Sequence, residues 1–255
     1  YIGEREGGKN NRKGKKIAFI YHNSGYGKEP LPTFNKLAKK YGYDFKALAV
    51  DHPGQEQKAA WLQVRRYKPD YVFLTGWGVM NQVAIKEAAA IRFPMDHFIG
   101  NWWSGAEPDV LPAGKTAIGY IAATFNQPGA GTQAHADIVK HVYGGDAAAA
   151  KKGQIGQVLY NRGIINAIYD TEAVRTAMGK YGNKAMSGEQ VRWGLENLNL
   201  TEARLGELGV KGFMGPISVS CKDHEGGGKV MFQQWSGTEW KIVKGWTDTM
   251  QDVIR

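Results

Sequence analysis

Three apolar runs in the first part of the chain, each rich in β-branched residues, are followed by turns that carry glycine and aromatic side chains. The runs and their turns span residues 17–30, 71–81 and 98–110. In an open, mostly parallel α/β sheet, ligands bind beyond the carboxyl ends of the strands. The repeated arrangement therefore predicts a recognition cleft, and it points to binding before it points to chemistry.

Short apolar runs alternate with amphipathic segments over residues 15–125. The periodicity predicts strands at 16–21, 44–50, 70–75, 97–100 and near 117–125, and helices at about 29–41, 55–67 and 79–91. Strands that alternate with helices of this length are typical of a doubly wound parallel sheet with right-handed crossovers. The predicted fold class is therefore α/β.

The pattern changes after a break rich in proline and glycine at 126–132. Helices are predicted at 133–143, 157–180 and 187–196, the last of them opened by Ser187. Two strand-like runs, 229–235 and 239–246, are separated by Ser-Gly-Thr and predict a β-hairpin. Helices without strands of their own, followed by a hairpin, indicate two lobes that share the chain.

Composition narrows the function classes. The 255 residues are 42% hydrophobic and 22% charged, which is an ordinary globular balance. The net charge is +9, but the basic residues are scattered and belong to no known nucleic-acid-binding module, so a nucleic-acid partner is not expected. Cys221 is the only cysteine, so it has no partner within the chain and does not decide the redox compartment.

Six segments, taken together and in order, resemble the type I periplasmic binding proteins. They are GKKIAFIYHNSGYGKEP, YVFLTGWGVMNQVAIKEAAAI, IGNWWSGAEPDV, LYNRGIINAIYDTEAVRTA, SGEQVRWGLENLNL and GPISVSCKDHEGGG. The resemblance is specifically to the branched-chain amino-acid-type substrate-binding subunits of bacterial ABC importers, a group that includes binders of aromatic acids. It implies a two-lobed fold, a periplasmic or lipid-anchored extracytoplasmic location, and ABC permease membrane subunits as partners.

The resemblance also assigns the domains. Members of the family begin with a sheet of their own, which has no counterpart here, so we expect one complete lobe plus part of the other. The first section is expected either to have been cleaved, and then to be present as a separate fragment, or to lie outside this sequence. The assignment is 1–14 to the tail of a first-lobe helix and a linker, 15–125 to the second lobe, 126–228 to returning helices and a strand of the first lobe, and 229–255 to a crossover hairpin and C-terminal segment.

The family places ligand contacts on the loops that follow the strands. Tyr26 lies on the first such loop, where the alternative is a turn tyrosine that packs on its own lobe. Trp77 lies on the second loop between two glycines, and a bulky indole there is poorly explained by turn chemistry alone. We therefore expect Tyr26, Trp77 and Gly78 to contact a solute.

The third loop contributes the remaining candidate residues, which are Asn101, Trp102, Trp103, Ser104 and Glu107. Alternate side chains of an extended segment point in opposite directions, so one tryptophan is expected to face the solute and the other to lie in the core. Either Trp102 or Trp103 fits the position that faces the solute. Glu107 either accepts a hydrogen bond from an ammonium group or provides negative charge at a helix N-terminus.

No catalytic or metal-binding pattern is present among the motifs. The six histidines include no HExxH motif, Cys221 has no CxxC partner, and no GxSxG elbow occurs, so we expect no enzyme activity, metal or cofactor. The run 223–225 is expected to be a solvated turn. The predicted function is a hinge-closing solute receptor for branched-chain or other amino acids, with an aromatic-acid or amide binder as the alternative. An enzyme on the same sheet and a ligand-sensing regulatory domain remain the alternatives of other classes.

Overall fold

A computed structural model describes residues 1–250 of the chain. They separate into two compact units, one formed by Tyr1–Thr124 with the segment from Val230 onward, the other by Phe125–Lys229. The last residues of the predicted C-terminal segment, 251–255, lie outside the described residues. No helix of residues 1–250 combines the length and the apolar composition needed to cross a membrane.

Strands and helices begin and end close to the predicted positions. The strands are β1 (Lys16–His22), β2 (Asp44–Val50), β3 (Tyr71–Thr75), β4 (Phe98–Gly100), β5 (Ile121–Thr124), β6 (Asn199–Leu200), β7 (Ile217–Ser218), β8 (Val230–Trp235) and β9 (Trp240–Thr247). The α-helices are α1 (Ile2–Arg5), α2 (Gly25–Lys28), α3 (Leu31–Tyr41), α4 (Lys58–Tyr67), α5 (Val79–Ala90), α6 (Glu107–Val110), α7 (Gln133–His141), α8 (Ala147–Lys152), α9 (Val158–Tyr181), α10 (Gly188–Leu195) and α11 (Glu202–Glu207).

The first unit contains a seven-stranded sheet in the order β2-β1-β3-β4-β5-β8-β9. Strands β1 to β5 pair in parallel, whereas β8 pairs antiparallel to β5 and β9 antiparallel to β8. The predicted α/β class with a mostly parallel sheet is therefore confirmed. The strand expected near 117–125 starts later than predicted, because a 3₁₀ helix at Leu111–Ala117 comes before it.

Aromatic side chains anchor helices to the two faces of this sheet. On one face the ring of Phe34, from α3, lies 4.8 Å from Phe19 and 5.2 Å from Phe73. On the other face Trp61, from α4, meets Phe98 edge-on at 5.3 Å. The connection through α3 runs from β1 to β2, whereas the one through α4 runs back in the opposite direction, from β2 past β1 to β3. Right-handed crossovers in opposite directions place the two helices on opposite faces.

Residues 1–14, assigned from the resemblance to the tail of a first-lobe helix and a linker, include side chains that pack against the first unit. Ile2 is buried in the hydrophobic cluster of the first unit, and the ring of Tyr1 stacks on Phe232 at 4.7 Å. The adjoining charges are also paired there, because Arg5 forms an ion pair with Asp96 at 2.6 Å. Apolar burial and ion pairing together hold this segment against the sheet.

The predicted hairpin closes the far edge of the sheet. Strands β8 and β9 are joined through the turn at 236–239, and Trp235 is registered opposite Trp240. The two indoles meet edge-on, with ring centroids 5.3 Å apart, and both are buried. This cross-strand aromatic pair fixes the register of the hairpin.

The second unit is mainly helical and has its own core. Leu205, Val210 and Phe213 are fully or almost fully buried there, with β6 and β7 forming a two-stranded sheet beside them. The predicted start of α10 is confirmed in detail: Ser187 accepts a hydrogen bond from the backbone of Gln190, whose side chain accepts one from the backbone of Ser187. This reciprocal arrangement satisfies two N–H groups at the helix start.

A buried carboxylate joins two helices of the second unit. Glu172, on α9, accepts two hydrogen bonds from the guanidinium of Arg204 on α11, at 2.7 and 2.8 Å, and one from Arg175 at 2.9 Å. Its side chain is 7% exposed. These hydrogen bonds, first of all that from Arg204, hold the pKa of Glu172 below its ordinary value.

We expect Glu172→Gln to destabilise the protein at pH 7 by about 2 kcal/mol, the range for hydrogen bonds to charged groups. A carboxylate whose pKa is lowered by folding stabilises the folded state above its unfolded pKa, and that stability is lost as the pH falls through the folded pKa. The difference between wild type and variant should therefore shrink below about pH 4. Urea unfolding followed by circular dichroism measures it.

Glu207→Gln is the matched control, because Glu207 pairs with the same Arg204 at 2.7 Å but its side chain is 65% exposed. Exposed pairs contribute about 0.2–1 kcal/mol. Equal losses in the two variants, or a loss for Glu172→Gln that does not change with pH, would contradict this account of the network.

Candidate functional site

The order of the sheet places a topological switch point at its carboxyl edge, and the space between the loops at this point is called the crevice below. Strand β1 lies between β2 and β3, so the chain leaves β1 toward one side and returns through β3 on the other. Loops diverge at such a point, and open α/β sheets bind their ligands there. The loop after β1 carries Tyr26, the loop after β3 carries Trp77, and the loop after β4 carries Asn101.

Tyr26 ties these three loops together. It lies in the short helix α2, whose start is capped by the Ser24 hydroxyl, which accepts a hydrogen bond from the backbone of Gly27. The Tyr26 hydroxyl accepts a hydrogen bond from the Asn101 amide at 2.5 Å and donates one to the Gly76 carbonyl at 3.3 Å. The ring is half-buried, so it keeps an exposed surface at the crevice while its hydroxyl fixes the loops.

Ser104, one of the predicted solute-contacting residues, lies beneath the loops. Its side chain is fully buried, and its hydroxyl is 3.0 Å from each of three acceptors, the Gly76 carbonyl and the side-chain oxygens of Asn81 and Asn101. The reason is the chain direction, since the turn after Asn101 folds back under the loop from β3. This places the Ser104 hydroxyl where it links loops.

Two residues of the same network were not predicted. Asn81, in α5, donates hydrogen bonds at 2.9 Å to the Trp103 carbonyl and to the Asp109 carboxylate. Asp109, buried in α6, accepts another from the backbone of Ala106. Asp109 lies three residues after Ala106, the residue before α6, and an acidic residue at this spacing is typical of the first turn of a helix. The sequence therefore contained a signal from which the position of Asp109 could have been predicted.

The predicted arrangement of Trp102 and Trp103 is wrong. The segment Trp102–Ser104 is a 3₁₀ helix and not an extended segment, because the Asn101 side chain accepts a hydrogen bond from the backbone of Trp103 and turns the chain. Neither indole lies in the core: Trp102 is half-buried and Trp103 is 43% exposed. Their ring centroids are 4.5 Å apart, so the two indoles form one aromatic surface.

Glu107 and Gly78 begin the helices next to the crevice. Glu107 is the first residue of α6 and is half-buried. It therefore occupies the helix N-terminus, as expected if its role is to provide negative charge there. Gly78 precedes α5 with a φ of 57°, a conformation that glycine adopts without strain. Its backbone conformation turns the chain from the loop after β3 into α5.

Trp77 is the most exposed aromatic side chain of the three loops, at 51%. Its indole meets the ring of His22 edge-on, with centroids 5.8 Å apart, and lies 6.5 Å from the ring of His52. His22 is only 4% exposed, and burial, followed by the nearby His52, lowers its pKa. His22 was not among the predicted site residues, because a histidine that ends an apolar strand resembles an ordinary core residue.

A separate cavity of about 490 Å³ runs along the edge strand β2 and is not at the three loops. Residues of β2 form one wall, and Gln55, Glu56 and Gln63 of the following segment contribute to the other. Among residues 1–250, no three His, Cys, Asp or Glu side chains come together as a metal site. Cys221 is exposed.

Comparisons with known proteins agree with this architecture. The sequence profile of a family described as periplasmic binding protein matches residues 7–239. A crystal structure of an ABC transporter permease from the Pseudomonas fluorescens group is 43% identical and superposes with a TM-score of 0.92. That similarity covers 100% of this chain and 62% of the other. A comparison with curated proteins finds no significant match.

More distant structures share the fold. A branched-chain amino acid ABC transporter protein from Thermus thermophilus, with bound valine, is 20% identical with a TM-score of 0.75, over 97% of this chain and 63% of the other. A solute-binding protein from R. palustris, in complex with benzoate, is 15% identical with a TM-score of 0.66, over 92% and 60%. The chain thus spans about 60% of the length of these structures. It belongs to the family of periplasmic binding proteins and has their type I fold.

Proposed function

We propose that the protein is the solute-binding component of a bacterial ABC importer, which captures a small organic solute and presents it to a membrane permease outside the cytoplasm. The observation that carries this proposal is the crevice at the switch point of the sheet. Three loops converge there through the Tyr26 hydroxyl and the Ser104 hydroxyl, and they present aromatic surfaces. Membership of the family supports the same assignment.

The side chains of the crevice take different parts in the proposed site. Tyr26, Trp77 and the joined surface of Trp102 and Trp103 supply apolar burial for the body of the solute, while Asn101 and backbone groups near Gly78 supply hydrogen bonds. Ser104 acts as a positioning residue, because its hydroxyl already bonds within the protein. Glu107 remains a candidate for the ammonium group of an amino acid, as predicted from the sequence.

The chemistry of these loops favours a particular class of solute. Aromatic faces and uncharged hydrogen-bonding groups dominate, which suits an apolar or aromatic body better than a heavily charged one. We therefore propose a carboxylate- or amide-bearing solute with a branched or aromatic side group, amino acids first and aromatic acids second. The valine and benzoate complexes among the structural relatives support both classes.

Capture is proposed to work by closure. A solute that adds contacts available only when two lobes meet shifts an open–closed equilibrium by the difference between its affinities for the two states. No bond is made or broken in this scheme. The closed state is then what a permease recognises.

A thermal-shift panel tests the proposed solute class. It is run on the complete natural polypeptide, because the chain spans about 60% of the length of its structural relatives. A solute at ~100 times its dissociation constant should add about 2.7 kcal/mol of stability. We expect this from leucine, valine, phenylalanine or benzoate. Stabilisation by a sugar or a phosphate ester, with none from these four, would overturn the proposal.

A further inference from the structure

One polar atom beneath the crevice has no hydrogen-bond partner. The Nδ1 atom of His22 is 2.9 Å from the Ser24 hydroxyl, but its Nε2 atom is buried and makes no hydrogen bond. The residue as a whole is 4% exposed. Buried polar groups are almost always paired, so an unpaired one is an unusual feature that calls for a partner or a function.

The rings that cover His22 belong to residues that are exposed at the surface. Trp77 meets it edge-on at an interplanar angle of 85°, and His52 does so at 76°, with centroids 5.6 Å apart. Trp77 is 51% exposed and His52 is also exposed. Rotamer changes of exposed side chains are common when a ligand binds. A change in the Trp77 rotamer would therefore bring His22 into contact with the crevice.

We propose that His22 is a specificity-determining residue of the solute site, in which its Nε2 atom hydrogen-bonds an oxygen of the solute's carboxylate or amide group. The inference rests on the proposed function, because it uses the same crevice. His22 adds a polar group to a set of loops whose exposed side chains are mainly aromatic. The body of the solute then lies on the indoles while its acid or amide oxygen reaches the histidine.

The Ser24 hydroxyl controls which hydrogen bond Nε2 makes. When that hydroxyl donates to Nδ1, the neutral ring carries its proton on Nε2 and donates to an oxygen of the solute. The Ser24 oxygen still accepts the hydrogen bond from the backbone of Gly27. The capping interaction of α2 and the donor state of His22 are thus compatible.

Charge distinguishes a carboxylate from an amide at this position. Within residues 1–250, the titratable groups that face His22 are His52 and Asp51, both on the loop after β2, whereas the loop after β3 presents the uncharged Trp77. Burial and His52 lower the pKa of His22, and Asp51 opposes them. A bound carboxylate favours the protonated ring and raises that pKa, so carboxylate affinity should increase as the pH falls from 7.5 to 5.5. The affinity for an amide should not increase over this range.

Isothermal titration of the complete natural polypeptide tests the inference with two matched pairs of probes, benzoate with benzamide and leucine with leucinamide. For wild type we expect proton uptake and tighter binding at the lower pH for the acid of the pair that binds.

His22→Leu should weaken that binding at least tenfold, and its melting temperature should be unchanged or higher, because it removes an unpaired buried polar atom. His22→Gln keeps a hydrogen-bonding group near Nε2 and should bind within threefold of wild type, without the pH dependence. His52→Gln is the control at the neighbouring ring, and it should keep both the affinity of wild type and the dependence of that affinity on pH.

The outcomes separate this inference from the proposed function. Binding by His22→Leu within threefold of wild type would overturn the inference and leave the proposed function in place. Equal weakening in the Leu and Gln variants, with lower melting temperatures in both, would show that the ring only packs, and would overturn it as well. Failure of wild type to bind any of the four probes would overturn the inference together with the proposed solute class.

Discussion

Gly27→Ala should lower the stability of the protein by about 3 kcal/mol, at the upper end of the usual cost of overpacking. A Cβ atom at this position would overlap the backbone carbonyl oxygen of His22 and lie 2.7 Å from its carbonyl carbon. Backbone atoms cannot move aside by changing a rotamer, so α2 would have to move away from β1. The displacement would also break the cap that Ser24 makes on the backbone of Gly27.

The melting temperature measures this effect, with Gly25→Ala as the matched control in the same helical turn. Gly25 is exposed, and an added Cβ there has no heavy atom within 4 Å. For a domain of this size, each kcal/mol lost from the free energy of unfolding lowers the melting temperature by roughly 2–4 °C. Gly27→Ala should therefore melt about 6–12 °C below wild type, and Gly25→Ala should melt close to wild type. Two variants with equal melting temperatures would show that the turn carrying Tyr26 is not packed as described.

Trp77→Ala should weaken the binding of the preferred solute at least tenfold, which corresponds to about 1.4 kcal/mol. The indole is the most exposed aromatic side chain of the three loops, and truncation of an aromatic anchor removes both its contact area and its exclusion of water. Because Trp77 is 51% exposed, its removal should change the melting temperature little. Fluorescence titration of the complete natural polypeptide gives both the affinity and the environment of the remaining indoles.

Trp246→Ala controls for the loss of an exposed indole elsewhere. Trp246 lies on β9, at the edge of the same sheet, and is 38% exposed. Its replacement should leave solute affinity unchanged. If Trp77→Ala binds within twofold of wild type, or if the two variants lose affinity equally, the site has been placed on the wrong loops.

The strands, the longer helices and the hairpin could be predicted because their signals are local. Continuous apolar runs place β1 and β3 within a residue or so of their observed ends, and Ser-Gly-Thr marks the turn between Trp235 and Trp240. The cap of α10 could be read from Ser187 and Gln190, which are three residues apart. Features of this kind depend on a few neighbouring residues, so the sequence displays them directly.

The details of the candidate site depend on individual hydrogen bonds, some of them between distant parts of the chain. The place of Ser104 follows from a hydrogen bond to Gly76, which is 28 residues away. The turn at Trp102 and Trp103, in contrast, arises from a local hydrogen bond between the Asn101 side chain and the backbone of Trp103, which overrides the alternation assumed for an extended segment. Apolar periodicity contains no information on either hydrogen bond.

A small solute is proposed to bind at the carboxyl edge of the sheet, on the loops after β1, β3 and β4. A crystal structure of the complete natural polypeptide with the most stabilising solute of the panel would locate the site. We expect the solute to contact Tyr26, Trp77 and the loop at 101–104. A solute bound instead in the cavity along β2, against Gln55, Glu56 and Gln63, with the three loops empty, would contradict it.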